Sequence, residues 1–226
     1  MARDGFSVEV GGESTTATLY PAGQSAADGM VARTLVLGHG AGAPQTHPWM
    51  VAMAGAIAAE GFGVVTFDFV YMAARRRLPD RPAVLEATWR AVIDAVRSRL
   101  RPDRLFIGGK SMGGRIATQV AAQAEVEVDG LLLLGYPLHP PGKPNQLRAA
   151  HLPRVRAPML FVQGSRDPFG GPEELAPFIH GLAPGTRLFA VEGGDHSLAT
   201  PRSSGVTLAA TMARVAREFA HFTASR

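Results

Sequence analysis

The sequence predicts a single α/β domain, residues 1–226, with a mostly parallel central sheet, helices on both faces and an N-terminal antiparallel hairpin. Three observations carry this reading. Short apolar runs alternate with helical segments at βαβ spacing, the pattern of a sheet covered on both sides. A length of 226 residues is enough for one good hydrophobic core and short for two. A glycine-flanked serine at 109–113 falls between one such strand and the helix after it.

The elements follow in order. Residues 6–10 and 14–20 alternate apolar and polar side chains around Gly11-Gly12, a hairpin signal. Pro21 to Met30 is small, polar and glycine-bearing, so it reads as a loop. Thr34–Gly38 is a compact apolar run and a candidate central strand, followed by a glycine- and proline-rich loop over 38–48. Trp49–Glu60 has helical spacing, with Met50, Met53, Ala54 and Ile57 on one side and Gly61 as its stop. Val64–Phe69 reads as a strand with Asp68 near its carboxyl end, and Tyr71–Arg81 as an arginine-bearing loop. Pro82 suits a helix start, and Ala83–Leu100 carries the apolar period of a helix. Arg104–Gly108 is a short strand and Met112–Ala124 a helix. Val128–Gly135 and Met159–Gly164 are strongly apolar strands. The proline-rich stretch between them is too short and too broken for a helical lid, which predicts an open site. Pro172–Ile179 starts a short helix, Thr186–Val191 gives the last strand, and Ser204–Thr223 the last helix.

Composition excludes several classes. There is no cysteine, hence no disulfide, no thiolate metal site and no cysteine nucleophile. The seven histidines are scattered, without a His-Glu-x-x-His or a close pair, so no metal cofactor is expected. The start lacks the apolar core of a signal peptide and no run is long enough to span a bilayer; the expected location is the cytoplasm, with no membrane partner. The net charge is +4, mostly from arginine. Arg75, Arg76 and Arg77, and Arg97, Arg99, Arg101 and Arg104, lie in a polar loop and around a helix C-terminus, where positive charge complements the dipole. They form no nucleic-acid motif, and no nucleic-acid partner is expected.

The chemistry centres on Gly109-Lys110-Ser111-Met112-Gly113. A tight strand-to-helix bend needs small flanking residues and lifts the serine hydroxyl above the carboxyl ends of the strands. A P-loop is the competing reading of Gly108-Gly109-Lys110-Ser111, but position 104 is Arg where that loop needs its first glycine. A serine hydroxyl attacks only when a base removes its proton. Asp167 follows the Met159–Gly164 strand, and His196 follows the Thr186–Val191 strand, both at the sheet edge expected for Ser111. Ser, acid, His is the chain order of an α/β-hydrolase triad. His196 is the candidate base and Asp167 the group that orients it. Asp195 is the rival acid; as a sequence neighbour of His196 it is better placed to brace the loop. The oxyanion donors predicted are the backbone N–H groups of Met112 and of Ala41, in His39-Gly40-Ala41-Gly42, with Gly42 the second choice to Ala41. His39 reads as structural.

These motifs resemble the α/β-hydrolase superfamily over nearly the whole chain, and most closely its small, lid-less, dienelactone-hydrolase-like branch. His39-Gly40-Ala41-Gly42, Asp68-x-x-Tyr71 with the arginines at 75–77, and Gly109 through Arg115 are similar to a group containing testis-expressed hydrolase-like proteins and a regulatory subunit of a histone-acetyltransferase complex. The resemblance implies the same triad and oxyanion donors, and no particular substrate. A composition rich in Ala, Arg, Gly and Pro looks bacterial and argues against a chromatin role. Dienelactone hydrolases use a cysteine nucleophile; with serine here, an esterase, thioesterase or peptidase-like activity is the better expectation.

The expected activity is therefore hydrolysis of small carboxylic esters through an acyl-enzyme on Ser111, with no cofactor, by a monomer or homodimer. Acyl transfer to an alcohol or peroxide shares that intermediate. The contrasting reading is a hydrolase-fold binding or scaffold protein with little turnover. Gly42, Tyr71, Met72, Pro137, Leu138, His139 and Phe169 are the candidate pocket residues, and Arg75, Arg76 and Arg77 are candidates to meet an anionic substrate.

Overall fold

The structure, a computed structural model, describes residues 4–23, 33–123 and 126–224. Eight strands form one sheet in the order β1-β2-β4-β3-β5-β6-β7-β8. The hairpin strands β1 (Asp4–Val10) and β2 (Glu13–Tyr20) pair antiparallel, and β2 joins β4 (Gly63–Phe67) antiparallel. From β4 onward the neighbours β3 (Arg33–Gly38), β5 (Arg104–Lys110), β6 (Gly130–Leu134), β7 (Met159–Gly164) and β8 (Arg187–Val191) are parallel. All carboxyl ends of the parallel strands thus share one rim.

Side-chain alternation divides the core into two layers. Val36, Val65, Ile107, Leu131, Leu133 and Phe161 share a buried cluster with residues of α3 (Pro82–Leu100) and α4 (Met112–Ala121). Their neighbours Leu35, Val64, Phe106, Leu132, Leu134 and Leu160 share another with α1 (Pro48–Ala59) and α6 (Leu208–Ala224). The central strands are apolar at most positions because both faces are covered; Thr34, Thr66 and Gln163 are their buried polar residues. Trp89 of α3 meets Phe67 edge-on, with ring centroids 4.8 Å apart.

Some boundaries differ from the sequence expectation. Val70–Ala73 forms a short helix, α2, that takes up the start of the Tyr71–Arg81 stretch expected as loop. Its Val70 and Tyr71 are buried, so tertiary packing rather than any periodic signal sets it. The last helix begins at Leu208, after a 3₁₀ turn at Arg202–Ser204, because Gly205 takes a left-handed conformation (φ 69°) that breaks the chain direction. The helix after Ser111 ends at Ala121, with Ala122 as its C-cap, earlier than the expected Ala124; Ala124 itself and residues 24–30 of the expected Pro21–Met30 loop lie outside the described residues. The remaining helix, α5, spans Pro172–Ile179 as expected.

Between β6 and β7 the described chain contains only irregular structure and one 3₁₀ turn, Leu152–Arg154, so no helical lid covers the rim. Among the described residues no helix is long and apolar enough to cross a membrane. Three of the arginines from the two clusters are hydrogen-bonded within the chain. Arg76 bonds to Asp80 and Glu13, Arg97 reaches the Glu127 carbonyl, and Arg104 donates to the Thr223 carbonyl at 2.8 Å.

Candidate active site

The bend at Ser111 is the structural origin of the site. β5 ends at Lys110 and α4 begins at Met112, leaving Ser111 alone to turn the chain. Ser111 adopts φ 49°, ψ −113°, a conformation that costs a non-glycine residue about 1–3 kcal/mol and persists only where the surroundings enforce it. Its N–H donates to the Leu134 carbonyl at 2.9 Å, which ties the bend to β6. The helix then passes so close to β3 that a Cβ on Gly113 would lie 2.4 Å from the Gly38 carbonyl oxygen. Glycine at 113 is therefore a packing requirement.

Three side chains from different loops meet above this bend. His196 Nε2 lies 2.8 Å from Ser111 Oγ, and His196 Nδ1 lies 2.8 Å from Asp167 Oδ2. With a carboxylate on the Nδ1 side, that nitrogen carries the proton and Nε2 accepts from the hydroxyl. Asp167 has a fully buried side chain, and a buried carboxylate needs its lone pairs filled. Phe169 N–H donates to Oδ1 at 2.9 Å and Gln163 Nε2 to Oδ2 at 2.9 Å. The Phe169 ring lies against the His196 ring, centroids 4.2 Å apart and inclined by 31°.

The histidine loop is held from outside as well. Asp195, the rival acid, turns its carboxylate to the backbone N–H groups of Ser197 (2.7 Å) and Ala199 (3.0 Å). Lys110 donates to the His196 carbonyl, and the Trp49 indole N–H donates to the Ser197 carbonyl at 2.8 Å. The Lys110 ammonium also lies over the Trp49 ring, 5.5 Å from its centroid. Burial lowers the Lys110 pKa to about 8, against the opposing pull of Asp167 and Asp195.

On the other side of the cleft lies the 38–48 loop. His39 is fully buried; its Nε2 accepts from the Phe69 N–H at 3.1 Å, which leaves Nδ1 to donate to the Gly40 carbonyl at 2.7 Å. Burial depresses its pKa, so the ring is a neutral brace. Asp68 accepts from the Gln45 N–H at 2.7 Å and anchors the far end of the loop. Ala41 and Met112 both line the cleft beside Ser111, and among the described residues neither N–H is taken by another backbone carbonyl.

The cleft encloses about 510 Å³. Trp49, Met50, Met112, Pro137 and Phe169 supply apolar walls, and Lys110, Arg115 and Arg148 supply positive charge. Of the candidate pocket residues, Pro137 and Phe169 line it and the other five do not. Tyr71 is buried with its ring near His39 and Phe69, as a core residue. Met72 packs against the same core cluster from α2. Gly42 is the exposed, left-handed turn residue after Ala41 (φ 80°). Leu138 is buried, and His139 is buried with its Nε2 at 3.0 Å from Glu174, joining the 136–148 segment to α5. Arg75, Arg76 and Arg77 also stand outside the cleft lining. Arg115 was accessible to sequence reasoning, since it lies four residues after Ser111 on a helix and shares its face. Gln163 and Arg148 carry no local signal.

A parallel sheet with a serine on a strained strand-to-helix bend, and a histidine and an acid arriving from later strands, is the architecture of the α/β hydrolases. The comparison with known families agrees: residues 31–224 match the family described as "Alpha/beta hydrolase domain", and the chain belongs to it. Solved structures with the same fold include Est1E from Butyrivibrio proteoclasticus (TM-score 0.78, 13% identity, covering 98% of this chain and 99% of that one). A serine hydrolase without lid, XC6422 from Xanthomonas campestris, matches at TM-score 0.74 and 18% identity over 96% of this chain and 94% of that one. Dienelactone hydrolase from Anabaena variabilis matches at TM-score 0.75 and 18% identity over 99% and 97%. At these identities the likeness is one of fold.

Proposed function

We propose that this protein is a serine esterase that hydrolyses small carboxylic esters through an acyl-enzyme on Ser111. The observation that carries the reading is the continuous hydrogen-bonded chain Ser111–His196–Asp167, 2.8 Å at each link, opening into a walled cleft. His196 takes the hydroxyl proton as Ser111 Oγ attacks the ester carbonyl carbon. The carbonyl oxygen becomes an oxyanion that the N–H groups of Ala41 and Met112 receive. Asp167 stabilises the imidazolium and keeps its ring oriented. The imidazolium then returns its proton to the alkoxide, the alcohol leaves, and the acyl group stays on Ser111. A water molecule, deprotonated by His196, repeats the attack and releases the carboxylic acid.

The lid-less rim favours short acyl chains, since a long chain would remain partly in water. Est1E has been seen with ferulic acid bound, a small carboxylic acid of the kind such a reaction releases. The narrower kinship with testis-expressed hydrolase-like proteins and the acetyltransferase-complex subunit rests on the motifs at 39–42, 68–71 and 109–115 and is part of the same proposal.

The test is labelling with a fluorophosphonate probe followed by a panel of short-chain esters and thioesters. Stoichiometric labelling that is absent in Ser111→Ala, together with turnover, is the expected result. A folded wild type that neither labels nor turns over would leave the scaffold reading in its place.

A further inference from the structure

The cleft is lined by two arginines that form no ion pair among the described residues. Arg115 lies one turn along α4 from Ser111, and Arg148 faces the same cavity from the segment between β6 and β7. Among the described residues neither makes an ion pair, although Arg76, Arg90 and Arg104 do. The carboxylate that acts on Arg115 through space, Glu86, is already bonded to Gln123 at 2.7 Å and lies 3.8 Å from Arg90. Among the described residues no Asp or Glu lines the cleft. The two guanidiniums also repel: Arg148 is one of the groups that makes the charge on Arg115 harder to hold, after burial itself. Lys110, the third cation of the wall, is committed to the His196 carbonyl.

Both arginines spring from fixed backbone. The Arg115 N–H closes the first turn of α4 on the Ser111 carbonyl at 3.0 Å. The Arg148 N–H donates to the Leu138 carbonyl at 2.7 Å, and the Arg148 carbonyl accepts from the buried Tyr136 hydroxyl at 2.7 Å. Partly buried like charges held side by side, without counter-charge, are costly, and a ligand oxyanion relieves that cost.

We propose that Arg115 and Arg148 form an anion subsite, and that the substrates of this enzyme are esters carrying a second, ionised carboxylate. The proposal rests on the esterase reading and names the substrate class for that site. One helical turn separates Ser111 from Arg115, roughly 6 Å along the axis. The geometry therefore suits a dicarboxylic half-ester whose free carboxylate lies a few carbons from the reacting carbonyl. The arginines act on binding, so they set KM and selectivity, while the bond-making steps remain with Ser111 and His196.

The experiment compares p-nitrophenyl hemiglutarate with its neutral methyl ester, p-nitrophenyl methyl glutarate, which has the same backbone without the charge. The expected kcat/KM preference for the anion is at least about tenfold at low salt, shrinking as salt is raised. In Arg115→Gln and in Arg148→Gln the ratio of the two values falls toward one, mainly through KM. Equal kcat/KM for the two esters, or a preference that both variants retain, overturns the proposal. Binding of monomethyl glutarate to Ser111→Ala, measured by calorimetry, reads the subsite without turnover. Binding there that weakens in Ser111→Ala/Arg115→Gln supports the subsite even if the wild type hydrolyses nothing, whereas no binding overturns it. Inorganic phosphate as a competitor separates the two oxyanion chemistries: competition by glutarate in preference to phosphate is expected, and the reverse order overturns the carboxylate assignment.

Discussion

The ammonium of Lys110 donates to the backbone carbonyl of His196, so the residue immediately before Ser111 holds the loop that carries the histidine. The same ammonium sits over Trp49, whose indole N–H fixes the next carbonyl, that of Ser197, at 2.8 Å. Two side chains, from β5 and α1, thereby clamp consecutive peptide units of a loop that makes no strand or helix of its own.

That clamp predicts a pH signature. The Lys110 pKa is lowered from 10.5 to about 8. Above pH 8 the ammonium is lost, its bond to the His196 carbonyl weakens, and kcat should decline along an alkaline limb. Stability moves the other way: between pH 8 and 10.5 the unfolded chain binds more protons at this site, so this group's contribution to stability rises with pH. Lys110→Met should lower kcat by about tenfold and abolish the limb. Lys110→Arg should restore much of the activity and move the limb upward, because guanidinium does not titrate there. A pH–rate profile that is the same in all three proteins would refute the role.

Gln163 is the buried hub beneath Asp167. Besides its bond to that carboxylate, its Nε2 donates to the Gly170 carbonyl at 2.6 Å and its Oε1 accepts from the Tyr136 N–H at 2.9 Å. Gln163→Leu removes this partner from the buried Tyr136 N–H and Gly170 carbonyl, and leaves the Asp167 carboxylate with only His196 and Phe169. The expected cost is about 1–3 kcal/mol per orphaned group, with a fall in kcat as Asp167 loses its orientation. Chemical denaturation and ester kinetics on the same preparation check both parts.

Two glycines should respond oppositely to alanine. At Gly113 a Cβ would sit 2.4 Å from the Gly38 carbonyl, and backbone there cannot retreat without moving β3. Gly113→Ala should cost at least about 1–3 kcal/mol and distort the bend at Ser111. At Gly55, on the exposed side of α1, a Cβ meets nothing within 4 Å. Gly55→Ala should stabilise the protein by about 0.5–1 kcal/mol through helix propensity, leaving activity unchanged. Thermal melts of the pair decide it; a neutral Gly113→Ala would contradict the packing described here.

Mild acid should weaken the fold through two histidines, the buried His39 and the half-buried His151. Burial, with help from Arg115 and Arg154, pushes His151 down to about 4, and burial also lowers His39, both from 6.5. In each case the unfolded state takes up the proton first. The stability they support is present above pH 6.5 and is lost as pH falls, for His151 down to about 4. Each group contributes at most about 1.4 kcal/mol per pH unit across its window. Denaturation midpoints measured across this range should slope downward toward acid, and His151→Gln should flatten the slope.

Local chemistry made much of this protein readable from its residues. Strand and helix alternation followed from apolar patterning, because a side chain's fate in a two-faced sheet depends on its own stretch of chain. The Gly-x-Ser-x-Gly bend was equally local, as was the order of Ser111, Asp167 and His196 after their strands. The short helix at Val70–Ala73 was not readable, since four residues carry no period and its burial depends on His39 and the core behind it. The pocket candidates show the same limit. Tyr71, Leu138 and His139 lie near the motifs in sequence, yet packing turns them into the core or toward α5.

By itself, then, the sequence determined the sheet, the bend and the positions from which a triad would converge, for each is written in neighbouring residues. Only the tertiary structure decided which charges face the cleft. Arginines 75–77 have the right chemistry and lie outside its lining, while Arg115 and Arg148, 33 positions apart, come to line the same cleft. Which side chains enclose a shared space depends on how distant segments pack, and single-chain periodicity holds no record of that.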